Sequence, residues 1–380
     1  MGFPENELYH QPPSRELPMR HRHDTRPDDL RQPGWDVWVA DGLGLSDASE
    51  AVPRTVLARC LLVAAALGVA VSAVARRAAR VGREVVRRGL AGSAPADPRD
   101  LERTLAAAFR RAVPRGVRDR RLPVAIDLHK RPYYGDRTRT PGVTGGKRDA
   151  GTSWFWSYAT AVALTPGHRH TLALTAVGPA ETLADVVDRL LAQVGWSGVR
   201  VRYVLLDRAF YAVGVVNALA RRDLRFIIPM MRRGAAGRTF FRRGNRGWFE
   251  HTFRSRNHTA SATVRVAVVP GPDGNRPLVF ACSGGFHALP DVALTYARRF
   301  GIESSYRQLG ECLAQTTSRD RVYRLLLVGV SLLIRARWVE AGGVTLGSIR
   351  WDLILAFTLP SGTEPRPATQ AVPPEPQPAA

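Results

Sequence analysis

Three acidic residues far apart along the chain, Asp127, Asp207 and Glu303, sit in patterns that could make them a metal site. Asp127 follows the apolar run Val124-Ala125-Ile126 and Asp207 follows Val204-Leu205-Leu206, so each is expected to close a short strand. In open α/β sheets ligands bind beyond the carboxyl ends of the strands, and neighbouring strands would bring the two carboxylates within a few ångströms. Such a pair repels in a partly dry site unless a cation lies between them, and hard oxygen donors favour Mg²⁺ or Mn²⁺. Two unrelated polar residues at strand ends are the plainer reading. The third acid falls in a segment read as a helix, Tyr296 to Cys312, where Tyr296, Arg299, Glu303 and Arg307 lie within about 80° of one another. One stripe then presents a carboxylate flanked by two arginines and a tyrosine. A salt-bridged solvated face is the commoner fate of such a stripe, and Gly301 inside the helix costs about 1 kcal/mol relative to alanine.

The elements that must position these residues can be read from periodicity. After the run ending at Asp127 comes a loop through Pro132-Tyr133-Tyr134-Gly135 and a Gly-rich basic stretch to Gly151. Strand-like runs at Phe155 to Leu164 and Thr171 to Val177 flank Thr165-Pro166-Gly167-His168, whose residues suit a hairpin turn. Leu183, Val186, Val187, Leu190, Leu191 and Val194 mark an amphipathic helix. The strand ending at Asp207, a helix over 211–221 and a strand over 225–230 complete the set, which implies an α/β sheet with a parallel portion. Residues 232–256 hold eight arginines and one acid, Glu250, interleaved with five aromatics. Strand-like runs at 261–269 and 278–282 follow, so 232–285 reads as a β-rich insertion.

The flanks differ in texture. Residues 1–52 read as a flexible arm, and 53–118 as a helical module in which Arg76, Arg80, Arg83 and Arg87 line one face and could contact DNA. Residues 346–380 form a C-terminal segment ending in a Pro-rich tail expected to be disordered. The catalytic core is then expected over 119–231 and 286–345.

Charge narrows the partners. The 380 residues carry 55 Lys+Arg against 33 Asp+Glu, a formal net charge of +22, and every basic residue except Lys130 and Lys147 is arginine. The arginine fork matches phosphate, so a polyanion is the leading partner; codon bias would explain arginine over lysine but not the excess of positive charge. Cys60, Cys282 and Cys312 are odd in number and far apart, which suggests neither a disulfide framework nor a zinc site. The uncharged run Cys60 to Ala75 is short and Ala-rich for a membrane span, and no signal pattern opens the chain. A cytoplasmic, nucleoid-associated protein is expected. The His-Arg-His triplets at 21–23 and 168–170 are read as surface or turn residues.

The segments Ala125-Ile126-Asp127-Leu128, Val204-Leu205-Leu206-Asp207-Arg208-Ala209-Phe210-Tyr211 and Tyr296-x-x-Arg299-x-x-x-Glu303-x-x-x-Arg307 together resemble the acid motifs of DDE transposases of bacterial and archaeal insertion sequences. The likeness is nearest to the insertion-sequence-four type and spans residues 121–340. That signature has a lysine seven residues after its glutamate, where this chain has Gly310; Arg307 is the resemblance's substitute. The resemblance implies a ribonuclease-H-like mixed sheet with flanking helices, a β-rich insertion before the last catalytic acid and a helical N-terminal region. It also implies Asp127, Asp207 and Glu303 as ligands of two divalent ions about 3.5–4 Å apart, Mg²⁺ or Mn²⁺, driving DNA cleavage at element ends and transfer of the 3′-hydroxyl to target DNA. Tyr296, Arg299 and Arg307 become candidates for holding phosphates, with Lys130 and Arg208 weaker ones. In the insertion, Arg242, Arg243 and Trp248 suit a backbone groove with a stacking ring, although burial between strands would suit Trp248 equally. The partner is double-stranded DNA, with a homodimer joining two ends and no membrane. A nuclease of the same fold without strand transfer, and an inactive or domesticated DNA-binding protein, are the competing readings.

Overall fold

The computed structural model describes residues 34–77, 79–242, 244–271, 276–300 and 308–358. Its centre is a nine-stranded mixed sheet in the order β2-β3-β1-β5-β6-β9-β8-β7, with β4 also paired to β3. The strands are β1 (Arg121–Pro132), β2 (Thr144–Asp149), β3 (Thr152–Thr165), β4 (His168–Val177), β5 (Arg200–Leu206), β6 (Phe226–Pro229), β7 (Gly247–Arg254), β8 (Ser261–Val269) and β9 (Leu278–Cys282). β1, β5 and β6 run parallel, while β1 to β3 and β3 to β4 are antiparallel. The path β4-β3-β1-β5-β6 is thus an antiparallel meander joined to a parallel half, the ribonuclease-H-like arrangement expected from the motifs.

The hairpin forms where expected. Only Pro166 and Gly167 separate β3 from β4, and Gly167 takes φ +73°, a left-handed conformation glycine adopts without strain. α6 (Leu183–Trp196) carries the chain from β4 to β5 and starts on a capping box between Thr182 and Asp185. α7 (Val213–Arg221) connects β5 to β6. Parallel strands need such helical crossovers, and both cover one face of the sheet, burying Ile126, Ala161, Leu206 and Ile228 beneath Val186, Leu190 and Val216. The opposite face buries Ala125, Val162, Leu205 and Phe280 together with Val292 and Tyr296 of α9 (Leu289–Ala297). Successive strand residues alternate between faces, so Asp127, two residues beyond Ala125, belongs to the α9 side.

Several elements depart from the sequence reading. The Gly-rich stretch before Gly151 contains an edge strand, β2, paired antiparallel to β3. A short helix, α8 (Ala235–Thr239), lies between β6 and β7, and β7, β8 and β9 continue the main sheet through antiparallel pairing of β9 with β6. The helical pattern from Pro53 is three helices, α2 (Arg54–Leu67), α3 (Val71–Arg77) and α4 (Arg83–Ser93). Gly68 caps α2 in the left-handed region and Arg80 itself has φ +52°, so Arg76, Arg80, Arg83 and Arg87 do not share one helix. Within the expected arm, residues from Gly34 onward are folded: α1 (Trp35–Leu43) buries Val39, Ala40 and Leu43 and packs on α2. The uncharged run Cys60 to Ala75 is broken at Gly68 between α2, buried in the core, and α3, and no helix among the described residues is long and apolar enough to cross a membrane. All three cysteines are free and buried.

α5 (Pro98–Ala112) packs against β4 and against the long helix α10 (Arg321–Ala341). Its Glu102, 2% exposed, bonds Arg99 at 2.7 Å, accepts from the Thr175 hydroxyl and the Ala176 amide, and lies 3.4 Å from Arg189 of α6. α11 (Leu346–Thr358) packs on α2, and the Pro-rich tail lies outside the described residues.

Candidate active site

The parallel pairing of β1 with β5 brings two of the three acids together. The last matched rung is Ile126 with Leu206, so Asp127 and Asp207 are the next residues on adjacent strands, about 5 Å apart at the backbone. Asp207 ends β5 as expected. Asp127 does not end β1: pairing to β5 stops at Ile126, but β1 continues along β3 through Pro132, because β3 is longer than β5. The site therefore lies where the parallel half of the sheet ends and the antiparallel half carries on as a wall.

The two carboxylates differ in environment. Asp127 is 6% exposed, and its Oδ1 accepts from the Leu128 amide at 2.9 Å and pairs with Arg299 Nη2 at 2.8 Å. Burial pushes its pKa up to about 6; Arg299 opposes that rise, and the neighbouring Asp207 charge adds to it. Asp207 is half-buried, and its Oδ1 accepts from the Arg208 amide at 2.5 Å, capping the 3₁₀ turn Arg208–Phe210. Two carboxylates meeting at adjacent strand positions are a donor set that a hard divalent cation would hold. Among the described residues no group of three His, Cys, Asp or Glu could hold a metal; Glu303 and Arg307 lie outside them.

The other expected residues distribute as follows. α9 ends at Ala297 and a 3₁₀ turn, Arg298–Phe300, follows, so the continuous helix expected from Tyr296 is interrupted where Arg299 turns into the sheet. Arg299 is itself 5% exposed, and its guanidinium meets Asp127. Tyr296 is buried on the α9 side, its ring centroid 5.2 Å from that of Phe280 and 6.4 Å from that of Phe300. Arg208 is exposed beside Asp207. Lys130 lies opposite Ser157, on the sheet face away from Asp127, with its ammonium 5.5 Å from the Phe155 ring. Sequence adjacency alone suggested it, and strand alternation removes it from the pair.

In the insertion, Arg242 is exposed and Arg243 lies outside the described residues. Trp248 is half-buried on β7, its indole N–H donates to the His287 carbonyl at 3.0 Å, and the Arg265 guanidinium covers its ring at 4.3 Å. One face of that ring is therefore already occupied. His170, read as a surface or turn residue, is buried on β4, where burial and the nearby His168, Arg335 and Arg169 hold its pKa down to about 4. His21 and His23 lie outside the described residues.

Sequence reasoning missed the row that shares a face with Asp127. In the β1–β3 register Asp127 stands opposite Thr160, His129 opposite Tyr158 and Arg131 opposite Trp156. Alternate spacing along β1 was the only signal, and it became readable only once β1 was known to run past Asp127.

No protein-family profile matches the sequence, and no curated protein matches it. Among solved structures, the chain is similar to a piggyBac transposase determined by cryo-electron microscopy as a synaptic complex with hairpin DNA. The TM-score is 0.51 at 7% sequence identity, over 89% of this chain and 74% of that one. At that identity the likeness is one of fold.

Proposed function

We propose that the chain is a DNA transposase of the DDE class, nearest to the insertion-sequence-four type, that cuts element ends and joins them to target DNA. The observation that carries this reading is the meeting of Asp127 and Asp207 at the end of the parallel strands, with Arg299 of the third motif ion-paired to the first acid. The piggyBac likeness supports a transposase fold, and the charge of +22 supports a polyanionic substrate.

Asp127 and Asp207, with Glu303, would hold Mg²⁺ or Mn²⁺, two ions in this reading. When bound, such ions activate the attacking oxygen and neutralise charge on the leaving one. In hydrolysis a water oxygen bonds to phosphorus as the bond from phosphorus to the 3′ oxygen breaks, leaving a 3′-hydroxyl and a 5′-phosphate. In transfer, that 3′ oxygen bonds to a target phosphorus as the target's own 3′ oxygen leaves; the attacking hydroxyl gives its proton to solvent and the leaving oxygen takes one up, so one 3′-hydroxyl is consumed and one is formed. Arg299 lowers the cost of ionising Asp127 before the site is loaded, and its guanidinium lies beside the same carboxylates, where it would take a phosphate oxygen. Arg208, and Arg242 on the insertion, hold the backbone further out, and a homodimer brings two ends together.

The test is cleavage of DNA carrying the element end. Asp127→Asn, Asp207→Asn and Glu303→Gln should each keep DNA binding while losing Mg²⁺-dependent cutting by at least a hundredfold. A variant that cuts at the normal rate removes its residue from the ligand set. Pre-cut ends bearing a 3′-hydroxyl separate transfer from hydrolysis: cutting without joining would make the protein a nuclease of this fold.

A further inference from the structure

Asp127, His129 and Arg131 share one face of β1, and Arg131 lies about 13 Å beyond Asp127 along the strand. There the sheet meets the first turns of α10 and the segment before it, and a cavity of about 490 Å³ opens. Small-ligand sites run to about 300–1,000 Å³, so it is large enough for a small organic group. Its charged lining is three arginines, Arg131, Arg319 and Arg324, and its aromatic lining is three tyrosines, Tyr133, Tyr134 and Tyr158, with Gln315, Thr316 and Thr317 adding neutral polar groups. Among the described residues no carboxylate lines it and none is ion-paired to these arginines; Asp136 feels the charge of Arg319 from beyond ion-pair distance.

Two details make this a built site. Arg324 is fixed by donating to the Ser318 and Thr316 carbonyls at 2.5 and 3.2 Å and by stacking 4.9 Å over Trp156. Burial opposes its charge, as it does that of Arg131, so an incoming anion would be held at low dielectric. At the mouth, Tyr134 is 72% exposed yet tethered, its hydroxyl donating to the Ala150 carbonyl at 2.8 Å. A large ring held in place and left open to water is a stacking platform.

We infer that this cavity receives one nucleotide of single-stranded DNA, with its phosphate between Arg131, Arg319 and Arg324 and its base against Tyr134. Arginines without acids select an anion, and an exposed planar ring selects a flat one. The position on the Asp127 face, a few nucleotides from the carboxylates, suits a strand separated from the duplex near the cut. The inference rests on the proposed function in taking that strand to be the DNA being processed.

The test uses the full chain, in chelator to exclude metal, and a hexadeoxynucleotide with a central 2-aminopurine. Tyr134→Ala and Arg319→Ala, both at exposed positions, should each weaken binding about tenfold, within the range spanned by one base stacked on an aromatic ring. Tyr134→Ala should also abolish the fluorescence change of the probe base. Equal affinity of both variants and the unchanged protein would overturn the assignment, as would tighter binding of RNA of the same sequence. If binding depends on both residues but element-end DNA is never cut, the cavity stands and the transposase reading falls. If DNA is cut while the variants bind normally, only the cavity assignment falls.

Discussion

At the scale of single residues, the contact between Arg299 and Asp127 decides how the acid pair behaves without metal. A buried carboxylate beside another negative charge is costly, and the guanidinium offsets part of that cost. Because burial raises the folded-state pKa of Asp127 from 3.8 to about 6, its contribution to stability is fully present below pH 3.8 and is lost as pH rises through 6. The loss is at most roughly 3 kcal/mol, at 1.36 kcal/mol per pKa unit. Arg299→Gln removes the opposing charge, so the loss should deepen and its midpoint should move above pH 6. Urea unfolding from pH 4 to pH 8 in chelator measures both, and an unchanged curve would mean that the pair is not coupled in solution. In the same variant, millimolar Mg²⁺ at pH 8 should restore more stability than in the unchanged protein, since a cation that binds the folded state no longer competes with the guanidinium.

At the scale of elements, the sheet sets the site and helices from both chain flanks hold the sheet. Glu102 ties α5 to the end of β4 and to α6, accepting from a backbone amide, a hydroxyl and Arg99 and ion-paired to Arg189, while almost wholly buried. Breaking a buried pair by removing one partner leaves the other charges without compensation. Glu102→Ala should therefore cost about 3–5 kcal/mol in denaturant unfolding, the range found for such losses. Glu102→Gln, which retains an acceptor for the Ala176 amide, should cost less. Equal and small effects from both would show that α5 docks through Leu101, Leu105 and Phe109 alone.

At the scale of the whole molecule, the charge of +22 is spread over arginines on many elements, and exposed ones such as Arg208 and Arg242 have room for phosphate. Affinity for duplex DNA should fall steeply with salt, and Arg208→Ala or Arg242→Ala should each reduce the slope of log K against log salt by about one. The binding isotherm at several salt concentrations gives that slope. An unchanged slope in either variant would place that arginine away from DNA.

The chain order of hairpin, helix, strand, helix and strand was legible in the sequence because each element carries its own local signal: the strand-like runs of β3 and β4 on either side of turn residues, the apolar stripe of α6, the apolar runs before Asp127 and Asp207. The identity of those two acids as a pair was legible for the same reason, since each follows a strand-like run. Three things were decided only by tertiary structure. β1 passes beyond Asp127 because β3 extends alongside it, and no local pattern in Leu128 to Pro132 encodes the length of a partner strand. Lys130 faces away from Asp127 and Arg299 ion-pairs with it because a side chain's face depends on strand register and on where α9 stops, not on its distance along the chain from an acid. The row from Asp127 to Arg131 and the cavity at its end exist only where α10, nearly two hundred residues later, packs across the sheet. Periodicity is a property of one segment, whereas a site made of several segments depends on which of them lie against one another.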